Sequence, residues 1–224
     1  MAKVMLITGA SSGIGAATAR KAVQRGLRVI LTARSEDKLT ALVDELGADN
    51  ALAIPADVTD FNALERVVNQ GVQHFGQLDV AFANAGAGVA SPGVEKGKPQ
   101  EWDTMVQLNI NALLYTAKLT LPHLRNSTGH FIMTGSAAGR RTIQGSVYGA
   151  TKWFVHGFAS NLAEEMKEWQ GRCTTIAPGM VDTPFFDEPK PDKLAAEDVA
   201  DAVLHAVEAH PRNCVREIYL MPAL

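Results

Sequence analysis

A chain of 224 residues with 46% hydrophobic and 20% charged residues is long enough to bury a full core by itself, and its balance is that of an ordinary soluble globular protein. A formal net charge of −3 and a pI near 6.1 give no electrostatic case for nucleic acid or an anionic membrane as partner. The two cysteines, Cys173 and Cys214, form no CxxC, and the six histidines lack metal-ligand spacing; reduced thiols in or near the core, and no metal site, are expected.

The first predicted strand, Val4–Thr8, begins too early and is too short for the apolar stretch and cleavage site of a secretory signal. No apolar run approaches membrane-spanning length, Lys118 interrupting the best one, so a cytoplasmic location is the expectation. Thr8-Gly9-Ala10-Ser11-Ser12-Gly13-Ile14-Gly15 joins that strand to a predicted helix, Ile14–Arg25. Glycines serve there because a side chain would hold the backbone away from a pyrophosphate, and because the turn needs dihedrals that other residues resist. The first-turn amides of the helix then face the phosphates, helped by the helix dipole. A lone glycine motif also makes plain turns; the strand–turn–helix context marks this one as a dinucleotide site.

The second strand, Arg28–Thr32, leads through Ala33-Arg34-Ser35 to the helix Asp37–Leu46. A carboxylate at that strand end accepts hydrogen bonds from ribose hydroxyls and repels a 2′-phosphate, whereas a guanidinium binds the phosphate bidentately. Ala33 followed by Arg34 therefore favours NADP(H); a solvated arginine opening the next helix is the plainer alternative, and Ser12 adds no second charge.

Strands Ala51–Ile54 and Leu78–Phe82 flank the helix Phe61–Phe75; Asp57-Val58 follows the former and Asn84-Ala85-Gly86 the latter. A long helical pattern, Trp102–Leu124, holds Asn109 and Asn111. The fifth strand, His130–Thr134, runs into Gly135-Ser136-Ala137-Ala138-Gly139, and the helix Tyr148–Trp169 opens with Tyr148-Gly149-Ala150-Thr151-Lys152. Four-residue spacing puts Tyr148 and Lys152 on one helical face. Tyrosine ordinarily titrates near ~10, so it is a poor base at neutral pH; a neighbouring cation stabilises phenolate and lowers that value. Lys152 can also donate to ribose hydroxyls. Strand Cys173–Ala177 precedes Pro178-Gly179-Met180-Val181-Asp182-Thr183, and the helix Glu197–Glu208 and strand Glu217–Leu220 close the pattern. Continuous apolar strands separated by helices call for a parallel sheet covered on both faces. With right-handed crossovers that is a doubly wound α/β sandwich of about seven strands, Rossmann-like, forming one domain over residues 1–224.

The TGxxxGxG spacing, followed in order by Asn84-Ala85-Gly86, Ser136 and YxxxK, resembles the short-chain dehydrogenase/reductase family along nearly the whole chain. The resemblance implies an NAD(P)-dependent enzyme that interconverts a carbonyl and an alcohol. It implies cofactor contacts from Gly9, Ser11, Ser12, Gly13, Ile14, Gly15, Arg34 and Ser35, and from Asp57 and Val58 at the adenine, with Asn84, Ala85 and Gly86 supporting the sheet near the adenosine. Pro178, Gly179, Val181 and Thr183 would meet the nicotinamide carboxamide. The implied catalytic set is Asn109, Ser136, Tyr148 and Lys152, with Asn109 holding a proton-relaying water, Ser136 the substrate oxygen and Tyr148 the transferred proton. Asn111 and Ser146 are the competing choices for the first two. Ser136 stands twelve residues before the tyrosine, where family members often have thirteen, which reads as a deletion in the loop of residues 140–146.

In the family, substrate selectivity sits after the position of Thr183, and here residues 183–195 are short and carry three prolines, which argues against a long helical lid. Phe185 and Phe186 either line a pocket or dock on the domain, and Arg140 and Arg141 are candidate cations near Ser136. The C-terminal stretch resembles members acting on small 3-hydroxy acids and related alcohols. Family members commonly pair the helices matching Trp102–Leu124 and Tyr148–Trp169 with a second subunit, so the resemblance implies a homodimer or homotetramer. The rival functional readings are a non-catalytic NADP(H)-binding regulator and an isomerase or epimerase of the extended relatives. A complete Asn–Ser–Tyr–Lys set speaks against the first, and the glycine spacing against the second.

Overall fold

Strand residues alternate between two cores. In the computed structural model, which describes residues 2–91 and 93–223, Val4 and Leu6 enter one apolar cluster and Met5 and Ile7 the other. That period of two, in a strand buried throughout, is what a sheet covered on both faces requires. The strands are β1 (Val4–Thr8), β2 (Arg28–Thr32), β3 (Ala51–Ala53), β4 (Val80–Ala83), β5 (His130–Thr134), β6 (Arg172–Pro178), β7 (Val181–Asp182), β8 (Leu194–Ala195) and β9 (Glu217–Leu220). Seven form one parallel sheet of order β3-β2-β1-β4-β5-β6-β9, and β7 pairs with β8 apart from it.

Helices α1 (Gly13–Gln24) and α2 (Glu36–Leu46) cover the Met5–Ile7 face, with Ala19 and Leu39 in its core. The opposite face takes α3 (Phe61–Phe75), which contributes Leu64 and Val68. Next come α4 (Pro99–Val106), α5 (Ala112–Ser127) and α6 (Val147–Met166); Ala117 of α5 and Leu162 of α6 join the α3 core. Helix α7 (Ala196–Glu208) returns to the first face through Val203 and Val207. This is the expected doubly wound, Rossmann-like sandwich. Strand order reverses between β1 and β4, which opens a crevice at the carboxyl ends of the strands.

Three departures have local causes. The predicted helix Trp102–Leu124 is two helices joined by a π turn, Gln107–Asn111. One extra residue in a turn re-aims a polar side chain without breaking the helix, and Asn109 is the residue so turned inward. Strand β4 starts at Val80, not Leu78, because the Asp79 carboxylate accepts the Val4 amide hydrogen (2.7 Å) and pins the start of β1. Only Cys173 lies in the core; Cys214 is exposed, which corrects the expectation for that thiol, and both are free. Among the described residues no helix is long and apolar enough to cross a membrane, and no group of three His, Cys, Asp or Glu residues is arranged to hold a metal ion.

Candidate active site

The glycine turn lies at the crevice. Gly9 and Gly13 have φ of +66° and +51°, the left-handed region that side chains resist. A Cβ on Gly15 would stand 2.3 Å from the Gly9 carbonyl oxygen, so turn and helix meet only because that position is glycine. Ser12 precedes α1 in an extended conformation and its side chain caps no amide, leaving first-turn N–H groups for an anion. Gly15→Ala is expected to abolish dinucleotide binding and to cost about 1–3 kcal/mol of stability as the backbone is forced apart. Calorimetric titration and thermal denaturation check the two effects.

Thr183 faces this turn directly, since a Cβ on Gly13 would come within 3.1 Å of the Thr183 Cβ. At the other end of the crevice Arg34 and Ser35 are exposed just past β2. Asp57 Oδ1 accepts from the Thr59 amide (2.9 Å) and hydroxyl (2.7 Å). These bonds, the amide foremost, hold the carboxyl below its usual range against burial, and the nearby Arg34 guanidinium assists. Asn84 is a bracket: its Nδ2 donates to the Thr8 carbonyl (3.0 Å) and its Oδ1 accepts from the Thr134 hydroxyl (3.1 Å), tying the turn after β1 to β5. Val58 and Val181, both expected at the cofactor, bury their side chains in the two cores, so either can meet a ligand only through its main chain.

Deeper in the crevice, Asn109 is buried and spans two elements. Its Oδ1 accepts from the Ala87 amide (2.9 Å), while Nδ2 donates to the Ala87 carbonyl (2.9 Å) and to the Thr151 hydroxyl (3.1 Å). Asn111 instead donates to the Gln107 side chain and is only partly buried, so the structure brings Asn109, not its competitor, to the site. Lys152 donates from Nζ to the Thr134 carbonyl (2.9 Å), and among the described residues no carboxylate pairs with it. Burial lowers its pKa to about 8. Gly86 lies over both groups; a Cβ there would be 3.2 Å from Asn109 Oδ1 and 3.6 Å from Lys152 Nζ.

Ser136 ends the approach from β5 and caps a short 3-10 turn, its hydroxyl oxygen accepting the Ala138 amide hydrogen (3.1 Å). Its hydroxyl is close enough to the Tyr148 phenol to favour the phenolate. Ser146 is committed elsewhere, capping α6 through the Gly149 amide (2.9 Å). The expectation that Lys152 depresses the Tyr148 pKa is corrected in the chain alone. Burial raises it, with only the Ser136 hydrogen bond opposing, while the ammonium stands 5.7 Å from the ring centroid. Phe185 lies against that ring, centroids 5.8 Å apart, and Phe186 packs on Phe185, so Phe185 docks on the domain at the tyrosine itself. Arg140 is held by Glu217 and is not free for a substrate anion. An uncapped helix terminus, a glycine turn, an exposed guanidinium and an unpaired buried ammonium are donors that fit a phosphorylated dinucleotide with ribose hydroxyls.

His156, which the sequence offers only as one of six histidines without metal-ligand spacing, is buried beside Ser136. The available signal was its spacing, one helical turn after Lys152 and two after Tyr148 on the same face.

Comparison with known proteins agrees with this geometry. A family model described as short chain dehydrogenase matches residues 3–194. An uncharacterized oxidoreductase of Staphylococcus epidermidis is 36% identical over 227 residues, covering 98% of this chain and 97% of the relative. Among solved structures, serine dehydrogenase from Escherichia coli superposes with a TM-score of 0.90 at 32% identity, covering 98% of this chain and 97% of its own. An alcohol dehydrogenase from the archaeon Thermococcus sibiricus, complexed with 5-hydroxy-NADP, gives 0.92 at 29% identity, covering 100% and 97%.

Proposed function

Because the chain belongs to the short-chain dehydrogenase family and is an NAD(P)-dependent oxidoreductase, we propose that it interconverts a carbonyl and a secondary alcohol with NADP(H) as the preferred cofactor. The observation that carries the reading is Tyr148 with the buried ammonium of Lys152 5.7 Å from its ring centroid, Nζ being held by the Thr134 carbonyl at the end of the strand that leads to Ser136.

When bound, the nicotinamide supplies the hydride in reduction and accepts it in oxidation. The substrate oxygen is held by the hydroxyls of Ser136 and Tyr148. Burial raises the Tyr148 pKa further above neutrality, so the phenol carries its proton and serves as the acid of carbonyl reduction. Lys152 donates to the nicotinamide ribose and, with its pKa near 8, exchanges protons close to neutrality. A cavity of about 10 Å³, lined by Asn109, Lys152, Thr8, Thr116 and Thr134, has room for a single water. That is a return path for the proton to Lys152. Phe185 covers Tyr148 and, with Ser136, confines the substrate.

NADP(H) preference rests on Arg34 beside an apolar Ala33, and it is in keeping with the NADP-type ligands of the serine and archaeal alcohol dehydrogenases. The double change Ala33→Asp, Arg34→Gln is expected to move the ratio of kcat/KM values toward NADH by about 10²-fold or more, since it removes one guanidinium–phosphate pair and adds a repelling carboxylate. Unchanged cofactor kinetics would sink the assignment. A small 3-hydroxy acid, its 3-oxo partner or a related carbonyl is the substrate class we favour. Serine, named for the Escherichia coli enzyme, is a 3-hydroxy acid whose alcohol is primary, so aldehydes belong in the panel beside ketones. Measuring NADPH oxidation against a carbonyl panel tests the whole reading. The exposed Trp153 and the stacked Phe154–Phe158 pair on α6 support a homodimer or homotetramer, which sedimentation would check.

A further inference from the structure

His156 follows Lys152 by one turn of α6 and is 5% exposed. Its imidazole is wedged against the turn that carries Ser136. A Cβ on Gly135 would come 3.0 Å from Nε2, and one on Gly139 would come 2.6 Å from Cδ2, so only glycines on either side of Ser136 admit the ring. Nε2 lies 3.2 Å from the Ser136 carbonyl oxygen, and Nδ1 lies 3.4 Å from Glu217 Oε1 on β9. Glu217 is itself gripped through both carboxylate oxygens by Arg140, the residue that closes the 3-10 turn begun at Ser136.

The acceptors decide the proton positions. A carbonyl oxygen only accepts, so the hydrogen bond to Ser136 requires the proton on Nε2. In the neutral ring that leaves Nδ1 bare, and among the described residues this buried nitrogen has no hydrogen-bond partner, the Glu217 oxygen beside it being an acceptor too. The charged groups acting on the ring are Glu217, which favours a second proton, and Arg140 and Lys152, which oppose it together with burial.

We propose that His156 is a positioning residue for Ser136: Nε2–H holds the Ser136 main chain at one end of the turn, the Arg140–Glu217 pair fixes the far end of the turn to β9, and the hydroxyl is thereby kept beside Tyr148. The proposal rests on the hydride-transfer reading above, in which Ser136 holds the substrate oxygen. It makes the edge strand part of the catalytic apparatus, because Glu217 is reached from β6 only through the β6–β9 pairing that sets Thr175 opposite it.

The test uses the full chain with NADPH and the best carbonyl of the panel. His156→Leu removes the donor and should lower kcat by about ten- to a hundredfold, the scale of a modest displacement of a positioned group, with NADPH affinity by fluorescence unchanged. His156→Gln, whose Nε2 reaches about as far as the histidine Nε2, should restore most of that loss. In the unmodified protein at about pH 8, above the ordinary histidine pKa, ring-nitrogen NMR shifts should report the Nε2–H tautomer. A Leu variant that binds NADPH and turns over normally overturns the proposal. So does a Gln variant no better than Leu, or a ring protonated on Nδ1. Tyr148→Phe run alongside separates the two readings: normal turnover there means that hydride transfer by this site has failed, and the tautomer measurement still decides the histidine.

Discussion

Replacing Tyr148 by phenylalanine is expected to leave NADPH binding intact and to lower carbonyl reduction by about 10²–10⁴-fold, the usual contribution of a positioned general acid. The change deletes the hydroxyl proposed to share the substrate oxygen with Ser136 and to carry the transferred proton, and keeps the ring that Phe185 packs against. The fold therefore has no reason to respond. Steady-state turnover paired with a fluorescence titration of NADPH separates lost chemistry from lost binding. Near-normal turnover would remove Tyr148 from the mechanism.

Lys152→Met should act on activity and stability in opposite directions. Turnover is expected to fall at least as far as in the phenylalanine variant, because the ammonium proposed to meet the ribose and to receive the returning proton is gone. Stability at pH 7 is expected to rise by about 2 kcal/mol. Burial lowers the lysine from its usual 10.5 to about 8, a gap worth about 3 kcal/mol, and the Thr134 carbonyl left without its donor offsets about 1 kcal/mol of that. The sign follows from the proton count. Below about pH 8 the amine is protonated in both folded and unfolded chains, and the folded chain bears the full burial cost. Between about 8 and 10.5 the unfolded chain binds more protons, so wild-type stability climbs relative to the variant across that window. Urea denaturation of both proteins at pH 7 and pH 10 reads the difference directly. A methionine variant less stable than wild type at pH 7 would contradict the burial cost assigned to Lys152.

Most strands and helices were legible because their residues satisfy local rules. Val4–Ile7 is apolar throughout and runs through Thr8 into a glycine turn, and no neighbouring information is needed to see a buried strand feeding a helix. The interruption at Gln107–Asn111 was not legible. Nothing in that segment breaks a helical pattern, and the reason for the π turn is Ala87, a residue on another loop that Asn109 must reach. The site divides in the same way. Glycine turn, Arg34, Asn109, Ser136, Tyr148 and Lys152 were chosen from spacing and resemblance, whereas His156, Glu217 and Arg140 lie on three separate segments and carry no motif.

The sequence by itself determined the sandwich, the dinucleotide crevice and the face of α6 that bears Tyr148 and Lys152, because hydrophobic period, glycine dihedrals and helical spacing act over a few residues. Only the tertiary structure decided that burial raises the Tyr148 pKa, that among the described residues no carboxylate pairs with Lys152, that Arg140 is spent on Glu217, and that His156 lies 3.2 Å from the Ser136 carbonyl oxygen. Desolvation and pairing depend on what lies within a few ångströms in space, and for these groups the neighbours come from as far along the chain as β9.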